Sequence, residues 1–125
     1  MTAEERKLIE EMGGFVFNDS SAAPEAASFS LCITEDCMGP YILPGQKVYV
    51  SSSQKLSEFE VGIFYLNGKV LCRQWCEDIT GALHLLAADP KRADANITLP
   101  RQERGKCLCL GRVLLEKAPP PPLHL

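Results

Sequence analysis

Asn67-Gly68 lies between two apolar stretches and predicts a tight β-hairpin. The first strand of this hairpin would end at Leu66 and the second would begin at Lys69. Asn-Gly readily adopts the two positive φ angles of a type I′ turn, whose twist matches that of paired antiparallel strands. We therefore expect the chain to contain antiparallel β-structure on both sides of this turn.

Short apolar runs separated by turn residues extend the β pattern along the chain. The runs are Phe29 to Ile33, Lys47 to Val50, Val61 to Leu66, Lys69 to Trp75, Ala82 to Ala87 and Cys107 to Leu115. Runs of this length, rich in β-branched and aromatic residues, are typical of strands. Gly111 interrupts the last run and predicts a bulge or a close backbone contact. Tyr65 and Trp75 are expected to pack in the core or across strands. The sequence predicts a mostly β domain.

The chain divides into three segments. In residues 1–28, Thr2 and Glu5 form a capping-box pattern that predicts a short N-terminal helix, ended by Gly13 and Gly14. Small polar residues from position 18 to 28 predict a flexible strap. Residues 29–116 form the predicted β domain, and residues 117–125, which contain four successive prolines, are expected to be a disordered tail.

Size and charge narrow the class of protein. A chain of 125 residues with 46% apolar residues is the right size for one domain. The net charge of −3 argues against direct binding of nucleic acid, which needs clustered basic side chains. One loose basic cluster is expected to be ordinary solvated surface: Lys91, Arg92, Arg101, Arg104 and Lys106. No apolar run approaches the roughly 20 residues that span a bilayer. We expect a cytoplasmic protein without membrane contact.

The cysteines predict neither a disulfide framework nor a metal site. The chain has six of them: Cys32, Cys37, Cys72, Cys76, Cys107 and Cys109. In the cytosol they are expected to be reduced thiols, and their spacing lacks the paired C-x-x-C knuckles of a structural zinc site. We expect them to act mainly as small core residues, with no metal and no cofactor bound.

One turn after an apolar strand holds a thiol among polar residues. The turn reads Glu35-Asp36-Cys37-Met38-Gly39-Pro40 and is followed by Ile42 and Gly45. Taken by itself, it indicates only an exposed or half-exposed cysteine. Farther along, the Asn-Gly hairpin leads into an apolar strand that carries Arg73, and the last run contains Gly111-Arg112-Val113.

Together these segments resemble the C-terminal, serine-peptidase-like domain of LexA-type and phage-repressor-type regulators, over residues ~29–116. That family has Gly-Asp-Ser-Met-x-Pro, an apolar residue and a Gly-Asp turn. Asp36, Met38, Pro40, Ile42 and Gly45 keep this spacing. The resemblance implies a bent β-sheet fold, shared with signal peptidases. It places Cys37 on the family's nucleophilic Ser and Arg73 on its catalytic Lys.

The catalytic positions depart from the family pattern. A Ser–Lys dyad needs a neutral amine that accepts the Ser proton, and a guanidinium stays protonated in proteins. Arg73 is therefore expected to be a fixed charge and not a general base. Glu35 stands where the family has Gly, and Gln46 stands where it has an acidic residue. We expect peptidase activity to be lost, with Cys37 and Arg73 filling the old site.

The resemblance implies a role in dimerisation or transcriptional regulation. A homodimer through the late strands is expected, with the DNA-binding domain either separate or missing, since ~28 preceding residues are too few for one. Two alternatives remain open. One is a cysteine-dependent peptidase using Cys37 with Arg73, and the other is a thiol sensor using Cys37 or Cys109. His84, in a strand pattern, and His124, in the tail, are both poor candidates for a catalytic base. The small pairs Ala22-Ala23 and Gly13-Gly14 match the family's self-cleavage site poorly.

Overall fold

The computed structural model describes residues 2–17, 27–52 and 55–121. One helix, α1 (Ala3–Glu11), precedes eight strands. The strands are β1 (Phe15–Val16), β2 (Phe29–Ile33), β3 (Gln46–Ser51), β4 (Val61–Leu66), β5 (Lys69–Glu77), β6 (Leu83–Leu86), β7 (Ile97–Leu99) and β8 (Leu108–Leu114). They form one antiparallel sheet in the order β1-β2-β3-β8-β4-β5-β6-β7. Two 3-10 helices, Pro90–Ala95 and Arg101–Lys106, flank β7. The mostly β prediction is confirmed.

The N-terminal helix begins where the capping-box pattern places it. The hydroxyl of Thr2 accepts a hydrogen bond from the backbone N–H of Glu5 at 3.1 Å, which satisfies one of the free donors of the first turn. Ile9 on the inner face is fully buried, and it fixes the helix to the sheet. Gly14 follows so closely that a Cβ there would lie 2.7 Å from Cγ2 of Ile9. The predicted short helix is confirmed.

The Asn-Gly turn joins β4 to β5 as predicted. Leu66 pairs with Lys69, and Asn67 and Gly68 have φ angles of 51° and 77°. Both central residues are therefore left-handed, as a type I′ turn requires. This hairpin sets the register of β5 and thereby the position of Arg73 opposite Gly62.

Gly111 lies at an irregularity in the sheet, as the sequence predicts. The register between β4 and β8 shifts between Ile63 and Phe64, where Gly111 and Cys109 are the partners. A Cβ at position 111 would lie only 2.3 Å from the carbonyl oxygen of Ser51 in β3. The glycine therefore permits the close approach of β8 to its neighbour on the other side.

Two apolar clusters make up the core, and β4 contributes to both. Ile63 belongs to the first cluster and Phe64 to the second. Because successive strand residues point to opposite faces, β4 is covered on both sides, which explains its continuous apolar sequence. The first cluster also contains Cys37, Met38 and Ile42, so the turn that carries the family-like motif is packed into the main core.

Two short strands were not predicted. β1 and β7 have only two and three residues, too few to show an alternating pattern, and both form by pairing with longer neighbours. Most of the predicted strap, residues 18–26, lies outside the described residues, as do the pair Ala22-Ala23 and His124. The tail prediction stays a prediction for residues 122–125. Residues 117–121 are described, and Pro119 among them is buried.

Candidate functional site

The motif turn between β2 and β3 brings Cys37 into the core. Cys37 and Met38 are 1% and 0% exposed. The carbonyl of Met38 accepts hydrogen bonds from the N–H groups of Tyr41 and Ile42, both at 3.0 Å, which closes a compact helical turn. The carbonyl of Cys37 accepts from the N–H of Asp89 at 3.0 Å, so the turn is also attached to the loop that precedes β7. The exposed or half-exposed thiol expected from the turn sequence is instead buried.

The other motif residues hold the turn in place. Met38 fills the first core cluster, Pro40 continues the turn, and Gly45 has a φ of +85°, which favours glycine, at the entry to β3. The carboxylate of Asp36 forms an ion pair with Arg92 of the first 3-10 helix. These residues therefore act as supports, and none of them supplies a proton-transfer group to the thiol.

Arg73 of β5 is buried and fully engaged. It is 3% exposed, a rare situation for an arginine. Its Nε donates to the carbonyl of Ala95 at 3.1 Å and its Nη1 donates to the carbonyl of Cys72 at 2.8 Å. Nη1 and Nη2 also donate to the two carboxylate oxygens of Glu35 at 3.0 and 3.1 Å. The guanidinium is thus fixed by a bidentate ion pair and two carbonyls.

Glu35 is the site residue whose role the sequence did not reveal. Its position was recognised only as a departure from the family's glycine. In the structure its side chain reaches across 38 positions of sequence to neutralise Arg73, and 34% of that side chain remains exposed. The local sequence around Glu35 does not predict its ion pair with Arg73, because the two side chains meet only when β2 and β5 come together in the fold.

The electrostatic surroundings disfavour a thiolate at Cys37. Burial raises the pKa of the Cys37 thiol, and the charge of Glu35 raises it further, while Arg73 lowers it. The net result is a pKa above the ordinary value, because desolvation is the largest of these effects. The neighbouring Cys72 thiol also has a raised pKa, again chiefly through burial. Both sulfurs are therefore protonated at neutral pH.

The structure thus brings Cys37 and Arg73 into one electrostatic site, together with Glu35 and the loop around Asp94. A cleft of about 280 Å³ adjoins it. Its lining residues are Met12, Leu31, Cys32, Ile33, Thr34, Glu35, Val70 and Cys72. The arrangement can hold a buried positive charge beside a protonated thiol. The side chains whose charges act on the Cys37 thiol are Arg73, Glu35 and Asp94, and none of these three is an amine or imidazole that would take its proton.

His84 lies in a different polar network. Its Nε2 is 2.7 Å from Oδ2 of Asp78, and its Nδ1 is 3.1 Å from the hydroxyl of Thr98 on β7. Asp78 in turn accepts hydrogen bonds from the N–H groups of Thr80 and Ala82 in the β5–β6 turn. His84 therefore links β6 to β7 and to the β5–β6 turn near the far edge of the sheet.

The basic cluster is largely paired with acidic side chains. Arg92 pairs with Asp36 and Asp94, Arg104 pairs with Glu77 at 2.6 Å, and Lys106 pairs with Glu103 at 3.0 Å. Neutralised side chains of this kind present little net positive field. The structure therefore gives no concentrated basic face at these positions.

Cys32, Cys76 and Cys107 are free thiols. Within residues 2–17, 27–52 and 55–121 no three His, Cys, Asp or Glu side chains are grouped as metal ligands. None of the helices in these ranges has the length and apolar character needed to cross a bilayer. Neither a scan against protein-family models nor a search of curated proteins gives a match for this chain.

Proposed function

We propose that this chain is a LexA-like, phage-repressor-type C-terminal domain that has lost peptidase chemistry and acts by association, as a homodimer in cytoplasmic transcription control. The Arg73–Glu35 ion pair carries this proposal. At the position of the family's catalytic lysine stands a group that is always protonated, buried and held by four hydrogen bonds. A group in this state stabilises the fold and transfers no proton.

The arrangement around Cys37 supports the link to the family. Cys37 and Arg73 are 36 positions apart in the sequence, yet in the antiparallel fold the charge of Arg73 acts on the Cys37 thiol, as we expect for the positions of a nucleophile and its partner. Cys37 and Arg73 in place of Ser and Lys, together with Glu35, are what we expect of a site that has lost its catalytic function. In this proposal the two positions of the dyad remain in one site, while its chemistry is replaced by a neutralised ion pair.

Association is proposed to use the late strands. Within the described residues, β8 pairs with β3 only through Arg112 to Leu114. Leu108, at the start of β8, is 36% exposed. An apolar side chain and strand edge at this place suit an isologous contact between two copies. Since Arg92, Arg104 and Lys106 of the basic cluster are paired with carboxylates, this domain is not proposed to contact DNA, and a DNA-binding domain would be separate or missing.

The competing function is cysteine-dependent peptidase activity. Its supporting observation is that the charge of Arg73 lowers the pKa of the Cys37 thiol. Burial and Glu35 outweigh that effect, so a reactive thiolate is disfavoured. Thiol sensing meets the same obstacle at Cys109, where burial raises the thiol pKa to about 11.

Self-cleavage is the activity that separates these functions. The purified full chain, incubated at alkaline pH and analysed by mass spectrometry, is expected to keep one intact mass. A Cys37→Ala variant treated in parallel is the control. Two fragments from the wild-type chain that the variant does not produce would overturn the proposed loss of peptidase chemistry.

A further inference from the structure

Gln74, the residue after Arg73 on β5, holds the proline-rich end of the described chain. Gln74 is only 2% exposed. Its side-chain amide Nε2 lies 3.1 Å from the carbonyl oxygen of Phe59 and 3.3 and 3.2 Å from those of Pro119 and Pro120, so its two N–H groups are shared among three acceptors. One buried amide group therefore joins the start of β4, the end of β5 and a segment 45 positions away.

The contact selects a segment without backbone donors. Proline has no N–H, and its carbonyl accepts hydrogen bonds only. A run of prolines also holds an extended conformation before binding, so little conformational freedom is lost on docking. Residues 118–121 are called the strap from here on, and they are distinct from the flexible strap predicted for residues 18–28. Pro119 is buried against the domain, while Ala118, Pro120 and Pro121 are exposed. The strap thus docks through two carbonyls and one buried ring.

The strap site is distinct from the Cys37 site. Arg73 and Gln74 are consecutive, yet Arg73 contacts Glu35 and Ala95, whereas Gln74 contacts Phe59 and the strap. The role of Arg73 at the Cys37 site therefore does not account for the contacts that Gln74 makes. The amide of Gln74 is buried, so leaving its N–H groups without acceptors would cost folding free energy.

We propose that Gln74 and the surrounding ends of β4 and β5 form a docking site for proline-rich segments of a partner protein, and that the strap occupies this site in cis. The strap is attached at few points, since its neighbours Glu116 and Lys117 are exposed as well. It is therefore exchangeable. A partner segment with the same spacing of carbonyl acceptors displaces it and takes over the hydrogen bonds of Gln74.

The direct test measures binding of a labelled synthetic peptide, LEKAPPP, which copies residues 115–121, to the full-length protein. In Pro119→Asp, a carboxylate placed at a buried position drives the strap off the site. The peptide is expected to bind this variant about tenfold more tightly than the wild type, because the tethered competitor is removed. Adding Gln74→Leu to Pro119→Asp is expected to abolish that gain, since leucine fills the space but donates nothing.

A second measurement keeps the test independent of peptide affinity. Trypsin cleavage after Lys117 in the full chain is expected to be about fivefold faster in Gln74→Leu than in the wild type, because the strap is released. Cleavage after Lys69, in the hairpin, reports any general loss of folding and is expected to stay unchanged.

Two results would contradict the proposal. The first is equal peptide affinity in the wild type and both variants, with Lys117 cleaved at one rate throughout. The second is a change in sedimentation of Gln74→Leu without peptide binding to any variant, which would assign the site to the strap of a second copy.

Discussion

At the scale of single residues, Arg73 decides which chemistry the site can perform. A lysine at position 73 would need to lose its proton to act as a base, whereas Arg73 keeps its charge and is matched by Glu35. The resemblance predicts that Cys37 and Arg73 share one site, and in the structure the charge of Arg73 acts on the Cys37 thiol. The sequence did not reveal Glu35, because a long-range ion pair depends on how β2 and β5 are brought together, and nothing local encodes it.

Removing the charge of Glu35 is expected to destabilise the fold markedly. Glu35→Gln leaves the buried guanidinium of Arg73 without a counter-charge, and the predicted loss is about 2–4 kcal/mol of unfolding free energy, reduced from the fully buried case because Glu35 is partly hydrated. Urea denaturation followed by fluorescence measures it.

The matched control is Glu60→Gln, which breaks the more exposed Arg112–Glu60 pair, whose atoms lie 3.4 Å apart. This change is expected to cost less than about 1 kcal/mol. Equal losses in the two variants would show that Arg73 does not depend on Glu35.

At the scale of elements, the sequence was informative wherever a pattern was local. The hairpin at Asn67-Gly68, the helix cap at Thr2 and the irregularity at Gly111 all follow from residues that act on their own backbone. β1 and β7 were missed because their pairing partners define them. The contact between the strap and Gln74 was missed for the same reason, since a run of prolines by itself gives no sign of where it docks.

Gly111 is predicted to tolerate no side chain. In Gly111→Ala the new Cβ would meet the carbonyl of Ser51 and a methyl group of Val50, so β8 must move away from β3. A loss of about 1–3 kcal/mol of unfolding free energy is expected in urea denaturation. Gly105→Ala, where a Cβ would meet nothing within 4 Å, serves as the control and should change stability far less. Similar losses at both positions would argue against the close approach.

The β5–β6 turn is predicted to weaken in acid. Hydrogen bonds from Thr80 and His84 hold the pKa of the Asp78 carboxyl below its ordinary value of 3.8. A lowered folded-state pKa gives stability that is present above the ordinary value and is lost as the pH falls toward the folded-state pKa. Wild-type unfolding free energy should therefore drop between about pH 5 and about pH 2.5 by more than that of Asp78→Asn. An equal drop in both proteins would assign the acid sensitivity to other carboxylates.

At the scale of the whole molecule, the proposed function depends on association between two copies of the chain. Sedimentation analysis of the wild-type chain is expected to show a dimer. Leu108→Glu places a charge at the exposed start of β8 and should shift the equilibrium toward monomer. Ile79→Glu changes a fully exposed isoleucine in a turn and should leave the dimer intact. A monomeric wild type, or equal effects of the two changes, would contradict association through the late strands.

Electrophile titration tests most directly whether Cys37 is part of the scaffold or a nucleophile. Modification of each thiol is followed by mass spectrometry from about pH 5 to about pH 9, with the exposed Cys32 as internal reference and Arg73→Ala in parallel. We expect Cys37 to react more slowly than Cys32 throughout and to gain reactivity only toward the alkaline end of the range. Rapid modification of Cys37 below pH 7 that disappears in Arg73→Ala would contradict this expectation and restore cysteine chemistry to this site.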